Sequence, residues 1–283
     1  MDTVISSKTK TVTIGSDKPF CIIGERIKPT SRKKFSEELR EGNLETVVVD
    51  TESQVEAGAD MLDVNAGIPL VDEAELLAKM LTLIQEHTDL PLCIDSSVVE
   101  ALEAGLAVYE GKALVNSVTG EDERLEEILP LVAKHGAAVI GLANDETGIP
   151  ETPQQRLDIT RKIVSAAGDH GIPPEDVIID PLAMTVGADT EAVNITLETI
   201  RLIRDEVGVN MCLGASNVSF GLPERHALSG AFLAMAAASG LTSAIMSTAC
   251  VEPVRAADLL LGHDEWGARW IAAHRARKAA EAA

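Results

Sequence analysis

Positive charge is scarce in this 283-residue sequence, which has 24 lysine and arginine residues against 45 aspartate and glutamate residues. The formal net charge at pH 7 is therefore −21. A protein this acidic repels the phosphate backbone of nucleic acids and the surface of anionic membranes. The composition argues against nucleic-acid and membrane-surface functions. It remains compatible with a small anionic ligand held by local hydrogen bonds, or with a partner that carries a basic patch.

Cysteine and long apolar runs are also scarce. No two of the four cysteines form a CxxC pair, and three lie inside apolar, strand-like runs, which predicts buried, reduced thiols. No apolar run reaches the roughly 18 residues that span a bilayer, and residues 1–18 lack the apolar core of a signal peptide. We therefore expect a cytoplasmic protein. The cysteines are Cys21, Cys93, Cys212 and Cys250.

Motifs of nucleotide and metal chemistry are missing as well. The glycines of Gly105 to Gly111-Lys112 lie one residue too far apart for a phosphate-binding loop, and Ala113 stands where that loop needs Ser or Thr. No GxGxxG motif follows a strand-like run. The histidines are scattered, and no HExxH motif or Cys/His cluster predicts a catalytic metal. We therefore expect neither a dinucleotide cofactor nor a metal.

The sequence does contain a regular alternation of short apolar runs and longer amphipathic segments. Most of the apolar runs lack internal alternation, as is typical of parallel strands covered on both faces. The candidate strands are residues 20–24, 61–64, 92–95, 113–116, 138–142, 177–180, 210–214 and 243–247. The candidate helices between them are residues 44–57, 73–86, 98–108, 124–135, 153–169, 192–207 and 224–239, and two closing helices are residues 254–261 and 265–281.

Eight βα units in one uninterrupted chain predict an α/β protein with the (β/α)8 TIM-barrel architecture. The alternative is an open, doubly wound sheet, which would leave two strand edges to protect. We predict one domain over residues 1–283, with a barrel core at about residues 20–262 and closing helices outside it. The sequence shows no linker within the core.

Polar side chains follow the predicted strands at their C-terminal ends, where the active sites of barrels are built. Each could instead cap the next helix, because Asp, Asn and Ser are favoured N-caps, and capping is our interpretation of Ser97 and Asp145. Capping does not explain why five strands end in carboxylates or carboxamides, which together fit a flat heterocycle such as a pterin. Those five residues are Asp63, Asp95, Asn116, Asp180 and Asn217.

Six blocks, in order over about residues 20–262, resemble the pterin-binding methyltransferases. This family includes the methyltetrahydrofolate:corrinoid/iron–sulfur protein methyltransferase and the folate module of cobalamin-dependent methionine synthase. Its fold is a dihydropteroate-synthase-like barrel. The blocks are Ile23-Gly24-Glu25-Arg26-Ile27, Leu62-Asp63-Val64-Asn65, Cys93-Ile94-Asp95-Ser96, Val115-Asn116-Ser117, Ile179-Asp180-Pro181-Leu182 and Gly214-Ala215-Ser216-Asn217-Val218-Ser219.

The resemblance implies methyl transfer between N5 of tetrahydrofolate and the cobalt of a corrinoid, in a direction that the sequence leaves open. It places Asn217 beside N5 as the catalytic residue. An amide can rotate to hydrogen-bond N5 as charge develops, without bringing an ionised group. By the same resemblance, the pterin contacts are Asp95, Asn116, Asp180 and Asn217, with further candidates at Glu25, Asp63, Asn65 and Ser216.

The resemblance also implies tetrahydrofolate or 5-methyltetrahydrofolate as substrate, a corrinoid (cobalamin) and a homodimer. Because the sequence has no DxHxxG motif, we expect the corrinoid to arrive on a separate partner protein that docks over the barrel mouth. A basic cluster after the first strand is either a solvated loop or a contact for the folate glutamate tail or for an acidic corrinoid protein. It comprises Arg26, Lys28, Arg32, Lys33 and Lys34.

Two alternative functions remain. Dihydropteroate synthase has the same barrel and pterin pocket, but its family carries a Gly-Gly-x-Ser-x-Arg-Pro-Gly loop after strand two and a basic Ser-Arg-Lys segment after strand seven. This sequence has Asn65-Ala66-Gly67-Ile68-Pro69 and Ser216-Asn217-Val218-Ser219 there, without basic groups for p-aminobenzoate and pyrophosphate. The other alternative is a non-catalytic pterin carrier, which an Asn217 buried away from the pocket would favour.

Overall fold

Eight parallel strands form a closed barrel, in a computed structural model that describes residues 1–282. Each barrel strand pairs with the next along the chain, and the last closes the ring against the first. This confirms the predicted (β/α)8 barrel. Two strands, β1 (Asp2–Ser6) and β2 (Thr11–Gly15), precede the barrel strands β3 (Cys21–Ile27), β4 (Met61–Asn65), β5 (Leu92–Asp95), β6 (Leu114–Thr119), β7 (Ala138–Leu142), β8 (Val177–Asp180), β9 (Asn210–Gly214) and β10 (Ser243–Met246).

Helices connect the strands and cover the barrel. They are α1 (Lys33–Arg40), α2 (Glu45–Glu56), α3 (Glu73–His87), α4 (Val99–Val108), α5 (Asp122–His135), α6 (Pro153–Asp169), α7 (Ala192–Glu206), α8 (Arg225–Ser239), α9 (Val251–Leu261) and α10 (Ala268–Ala282). The closing helix predicted at 265 begins later, because Trp266 has a positive φ of 58° within a short 3₁₀ turn. Over residues 1–282, the helices are all too short or too polar to cross a membrane.

Alternate residues of each barrel strand face the barrel interior, as the two-residue period of a strand requires. Ile23 and Met61 belong to an apolar cluster inside the barrel, whereas the neighbouring Ile22 and Leu62 pack in the layer between the strands and the helices. All four cysteines are buried, as predicted, and three belong to the interior cluster. The apolar members of this cluster fill the barrel below the site described next.

The first 15 residues form an antiparallel hairpin of β1 and β2, which the sequence analysis did not predict. Ile5 and Ile14 are fully buried and belong to the interior cluster of the barrel. Asn210, the first residue of β9, donates hydrogen bonds from Nδ2 to Thr3 Oγ1 and to the carbonyl oxygen of Ile14, both at 2.9 Å. The hairpin therefore closes the amino-terminal end of the barrel.

Candidate active site

A cavity of about 890 Å³ opens at the carboxyl ends of the barrel strands. The polar lining of the cavity continues the strand positions that form the interior cluster. Asp63 follows Met61 by two residues on β4, and Asp95 follows Cys93 by two residues on β5. The two-residue period therefore turns these carboxyl groups toward the barrel axis. Of the sequence-predicted site residues, those that line the cavity are Glu25, Asp63, Asp95, Asn116, Asp180, Ser216 and Asn217.

Asp63 is the most deeply buried carboxyl group in the cavity, with 1% of its surface exposed. Its Oδ1 accepts a hydrogen bond from Asn116 Nδ2 at 3.2 Å. Burial and the adjacent Asp95 carboxylate raise the pKa of Asp63 to about 8, and Lys28 opposes that rise. Asp63 is therefore mainly protonated at neutral pH, so it can donate a hydrogen bond as well as accept one.

Lys28 lies inside the cavity, where its Nζ is 2.7 Å from Asp95 Oδ2. Burial alone would lower the pKa of Lys28, but Asp95 and Asp63 outweigh it and raise that pKa above its usual value. The sequence placed Lys28 only in a basic cluster after strand one. A register shift between Gly24 and Ile27 of β3 changes the alternation before this residue, so its place in the site could not be predicted from the spacing of residues.

Asn65 does not line the cavity, although it was a candidate pterin contact. Its Nδ2 donates to the backbone oxygen of Asp95 at 3.1 Å, and its Oδ1 accepts from the Gly67 amide at 2.9 Å. Both ends of the carboxamide thus hold the loop after β4 against the end of β5. Asn65 supports Asp95, and the structure does not place it for a direct ligand contact.

Asp180 ends β8 on the far side of the ring from Asp63. Its Oδ1 accepts from the Leu182 amide at 2.7 Å, and its Oδ2 is 3.4 Å from the Gly214 amide nitrogen. Burial raises the pKa of Asp180 to about 6, and these backbone amides limit the rise. Asp180 is therefore ionised at neutral pH and can accept two parallel N–H groups from a ligand.

The segment after β9 is a 3₁₀ turn, Ala215–Ser219, held from two sides. Ser216 Oγ donates to Glu25 Oε1 at 2.6 Å, and Arg225 Nη2 donates to the carbonyl oxygen of Ser216 at 2.8 Å. Burial raises the pKa of Glu25, although Ser216 and Arg225 oppose the rise. Ser216 thus links the ends of β3 and β9, and Arg225 fixes the turn that carries Asn217.

Asn217 lines the cavity and is exposed. Its Nδ2 would lie 3.2 Å from a Cβ at residue 214, so Gly214 lets this amide lie close to the end of β9. Over residues 1–282, no side chain or backbone group forms a hydrogen bond with the Asn217 carboxamide. The group is therefore available to a ligand, and this placement argues against a carrier with Asn217 buried away from the pocket.

The five residues of the basic cluster after β3 have different surroundings in the structure. Arg32 Nη1 is 2.5 Å from Asp50 Oδ2, and Arg26 Nε is 3.5 Å from Asp50 Oδ1. Lys33 and Lys34 are exposed to solvent, although they begin helix α1 rather than lying in a loop. Lys28 alone reaches the carboxylates inside the barrel.

The family model described as "Pterin binding enzyme" matches residues 26–247, which covers most of the barrel. The chain is 32% identical over 267 residues to a protein of Eubacterium limosum named methylcorrinoid:tetrahydrofolate methyltransferase, with 91% of this chain and 97% of that protein covered. It is 29% identical over 263 residues to the methionine synthase of Mycobacterium tuberculosis, with 88% of this chain but 22% of that longer protein covered.

Among solved structures, the fold is similar to a dihydropteroate synthase of Xanthomonas albilineans with 4-aminobenzoic acid. The TM-score is 0.71, the sequence identity is 20%, and the match covers 92% of this chain and 98% of that chain. A Yersinia pestis dihydropteroate synthase has the same TM-score of 0.71 at 16% identity. At these identities the likeness supports the barrel fold alone.

Proposed function

The chain belongs to the pterin-binding enzyme family, and from this premise we propose that it is a methyltransferase acting between tetrahydrofolate and a corrinoid. The methyl group moves between N5 of the folate and the cobalt of a corrinoid carried by a separate protein. The name of the Eubacterium limosum relative, which matches over nearly its whole length, supports both substrates. The observation that carries the proposal is the unpaired carboxamide of Asn217 at a cavity whose polar floor can hydrogen-bond a pterin. This floor comprises Asp63, Asp95, Asn116 and Asp180.

The floor of the cavity suits the pterin ring. Asp180 is ionised at neutral pH and can accept the parallel N–H groups of a 2-amino-pyrimidinone edge. On the opposite side, Asp63 and Asn116 offer both donors and acceptors to the mixed edge of the ring. Asp95, held by Lys28, supplies a further acceptor between them. Positioning of the ring by these groups accounts for much of the expected rate gain.

Asn217 stabilises charge at N5 in either direction of transfer. When N5 attacks a methylcorrinoid, the N5–C bond forms and the electron pair of the cobalt–carbon bond stays on cobalt as Co(I). The proton on N5 is then lost to solvent. The Asn217 oxygen accepts a hydrogen bond from that N–H as positive charge develops. In the reverse direction, a protonated N5 is the better leaving group. The relative's name gives the methylcorrinoid as donor, so we propose that direction here.

Exposed apolar side chains surround the cavity mouth, one in each of five loops. Leu70 is fully exposed, and Phe220 is 67% exposed. Each loop follows a different barrel strand, so the side chains encircle the opening although they are far apart in sequence. An apolar ring around a polar cavity is typical of a protein-docking surface, and we propose that the corrinoid protein covers it. This apolar rim comprises Leu70, Val98, Ile149, Met184 and Phe220.

We also propose a cytoplasmic homodimer. A second group of exposed apolar side chains, away from the cavity mouth, lies near the C-terminal helices α9 and α10. Trp266 is 90% exposed, and a contact between two copies of this region would bury it. Light scattering should give twice the chain mass, and Trp266→Ser should shift it toward the monomer. The group comprises Leu260, Leu261, Trp266 and Ile271.

The proposed activity is tested by cobalt absorbance. The protein is mixed with methylcob(III)alamin and tetrahydrofolate, and separately with Co(I) cobalamin and 5-methyltetrahydrofolate. We expect conversion between the methylcob(III)alamin and cob(I)alamin spectra, at a rate proportional to enzyme concentration. No absorbance change in either mixture contradicts the proposal. A parallel incubation with p-aminobenzoate and a dihydropterin pyrophosphate should form no dihydropteroate.

A further inference from the structure

The cavity is larger than the site for the pterin ring and continues beyond the barrel. From the floor it extends over the loop after β3 and along helix α2. We call this extension the outer arm. It is lined by Arg26, Thr30, Arg32, Val49, Asp50 and Ser53. None of these residues is needed to contact a pterin at the floor, so the arm is available to whatever the ring carries.

The outer arm carries surplus positive charge in a strongly acidic protein. Its two arginines share one carboxylate, since Asp50 is 2.5 Å from Arg32 and 3.5 Å from Arg26. Arg32 is fixed further, because it donates to the carbonyl oxygen of Arg26 at 2.7 Å and stacks over Phe35 at 4.5 Å. The side chain of Arg26 remains 61% exposed. Arg26 can therefore turn a guanidinium toward an anion in the arm.

The opposite side of the mouth has the opposite charge. In the ring of strands, β7 lies four positions from β3 in either direction. The loop after β7 carries Asp145, Glu146 and Glu151. An anionic extension of a bound pterin is therefore repelled from the β7 side and attracted to the β3 side. The mouth thus selects one exit direction for such an extension.

We propose that the outer arm binds the aminobenzoyl-glutamate tail of the folate, with Arg26 as the residue that recognises its carboxylates. Val49 of α2, 57% exposed, offers an apolar surface to the benzoyl ring on the way out. A guanidinium pairs with a carboxylate through two parallel hydrogen bonds, which suits the glutamate end. We expect longer, γ-linked glutamate tails to extend toward Lys33, which follows Arg32 in the chain at the exposed start of α1.

This inference depends on the proposed function, and it adds a selectivity. Each added glutamate adds a carboxylate near the same positive edge, so the protein should prefer polyglutamylated over monoglutamylated tetrahydrofolate. The preference should weaken as salt rises, because exposed charges are screened. A pterin without a tail should bind only through the floor of the cavity.

The test measures dissociation constants anaerobically by calorimetry for three ligands: 6-methyltetrahydropterin, tetrahydrofolate and tetrahydrofolate triglutamate. We expect Arg26→Ala to weaken triglutamate binding about three- to tenfold, to weaken tetrahydrofolate less, and to leave 6-methyltetrahydropterin unchanged. Arg26→Lys should restore part of the loss, since it keeps the charge but loses the paired donors. Arg201→Ala, an exposed arginine of α7 paired with Glu198, is the matched control.

The outcomes separate this inference from the proposed function. If the unmodified protein binds all three ligands equally, or if Arg26→Ala weakens all three equally, the tail site is wrong and the pterin site stands. If the protein binds none of the three, the proposed function and the tail site both fail. A triglutamate preference lost in Arg26→Ala and kept in Arg201→Ala supports the inference.

Discussion

Lys28 Nζ lies 2.7 Å from Asp95 Oδ2, so a residue that follows β3 forms an ion pair with the last residue of β5. The strand between them, β4, presents the buried carboxyl group of Asp63 to the same cavity. Lys28 is thus the cation placed beside two neighbouring carboxyl groups. It lowers the pKa of Asp63, which burial and Asp95 raise. The protonation of the cavity floor therefore depends on Lys28.

The first prediction concerns the removal of this cation. In Lys28→Met the pKa of Asp63 should rise further above about 8, because the group that opposes the rise is gone. The pH at which 6-methyltetrahydropterin binding is half-maximal should shift upward by about one unit. Lys112→Met is the control, since Lys112 pairs with Asp176 at 2.6 Å near the amino-terminal hairpin. An unshifted binding profile in Lys28→Met contradicts this role.

A second prediction links the same site to stability. Because the pKa of Asp63 rises from 3.8 to about 8 on folding, the folded chain holds a proton that the unfolded chain releases. The contribution of Asp63 to stability must therefore fall as pH rises from about 4 to about 8. Asp63→Asn removes this loss, so its gain in unfolding free energy should be larger at pH 8.5 than at pH 5.5, by about 1–3 kcal/mol.

Urea unfolding at both pH values measures that difference. Asp205→Asn, an exposed aspartate paired with Arg204, is the comparison and should show no comparable gain with pH. A gain in Asp63→Asn that is equal at the two pH values would mean that Asp63 is not held protonated in the folded state. The same variant should bind folate more weakly, since the site keeps a destabilising group for its function.

The third prediction separates binding from chemistry at Asn217. Its carboxamide makes no hydrogen bond within residues 1–282, so Asn217→Ala should leave the fold intact. We expect turnover to fall by about 100-fold and the folate dissociation constant to change by less than about threefold, because the amide acts on charge that develops in the transition state. Asn194→Ala, on the exposed side of α7, controls for the loss of an amide. Equal losses in turnover and affinity would assign Asn217 to ordinary binding.

The fourth prediction concerns the apolar rim. Ile149→Ser and Met184→Ser should raise the KM for a protein-bound corrinoid about fivefold each, because they remove apolar surface from the docking face. The rate with free methylcobalamin should stay within about twofold, since neither residue lines the pterin cavity. Val4→Ser, exposed in the hairpin at the opposite end of the barrel, is the control. Equal losses with free and protein-bound corrinoid contradict docking at this rim.

The barrel could be predicted from the sequence because its strands are continuous apolar runs separated by helical segments. The hairpin of β1 and β2 was missed, because each strand has only two strongly apolar residues, Val4 and Ile5 in β1 and Val12 and Ile14 in β2, in an otherwise polar segment. The burial of Ile5 and Ile14 depends on the open end of the barrel, which no local pattern reveals. Helix α1 was missed as a whole, because it is short and mainly charged, with only Phe35 and Leu39 buried.

The site could be predicted where a polar residue continues the two-residue period of a strand, as Asp63 and Asp95 do. Asn65 has the same parity as Asp63 but does not line the cavity, because its carboxamide is bonded to the Asp95 carbonyl oxygen and the Gly67 amide at the end of the strand. Lys28 could not be predicted as a site residue. It lies inside the cavity because of the register shift in β3, and the residue types in that segment do not predict such a shift. Spacing within strands therefore predicts orientation only as far as the ladder is regular.

The central claim is that this chain joins a methyl group from a corrinoid to N5 of a tetrahydrofolate bound beside Asn217. Carbon-13 NMR tests it most directly, with a ¹³C-methylated corrinoid protein, or ¹³C-methylcobalamin, and unlabelled tetrahydrofolate. We predict that the cobalt-bound methyl signal is replaced by the N-methyl signal of 5-methyltetrahydrofolate, and that Asn217→Ala slows this conversion by about 100-fold. A methyl signal that stays on cobalt when folded enzyme and tetrahydrofolate are both present would contradict the account.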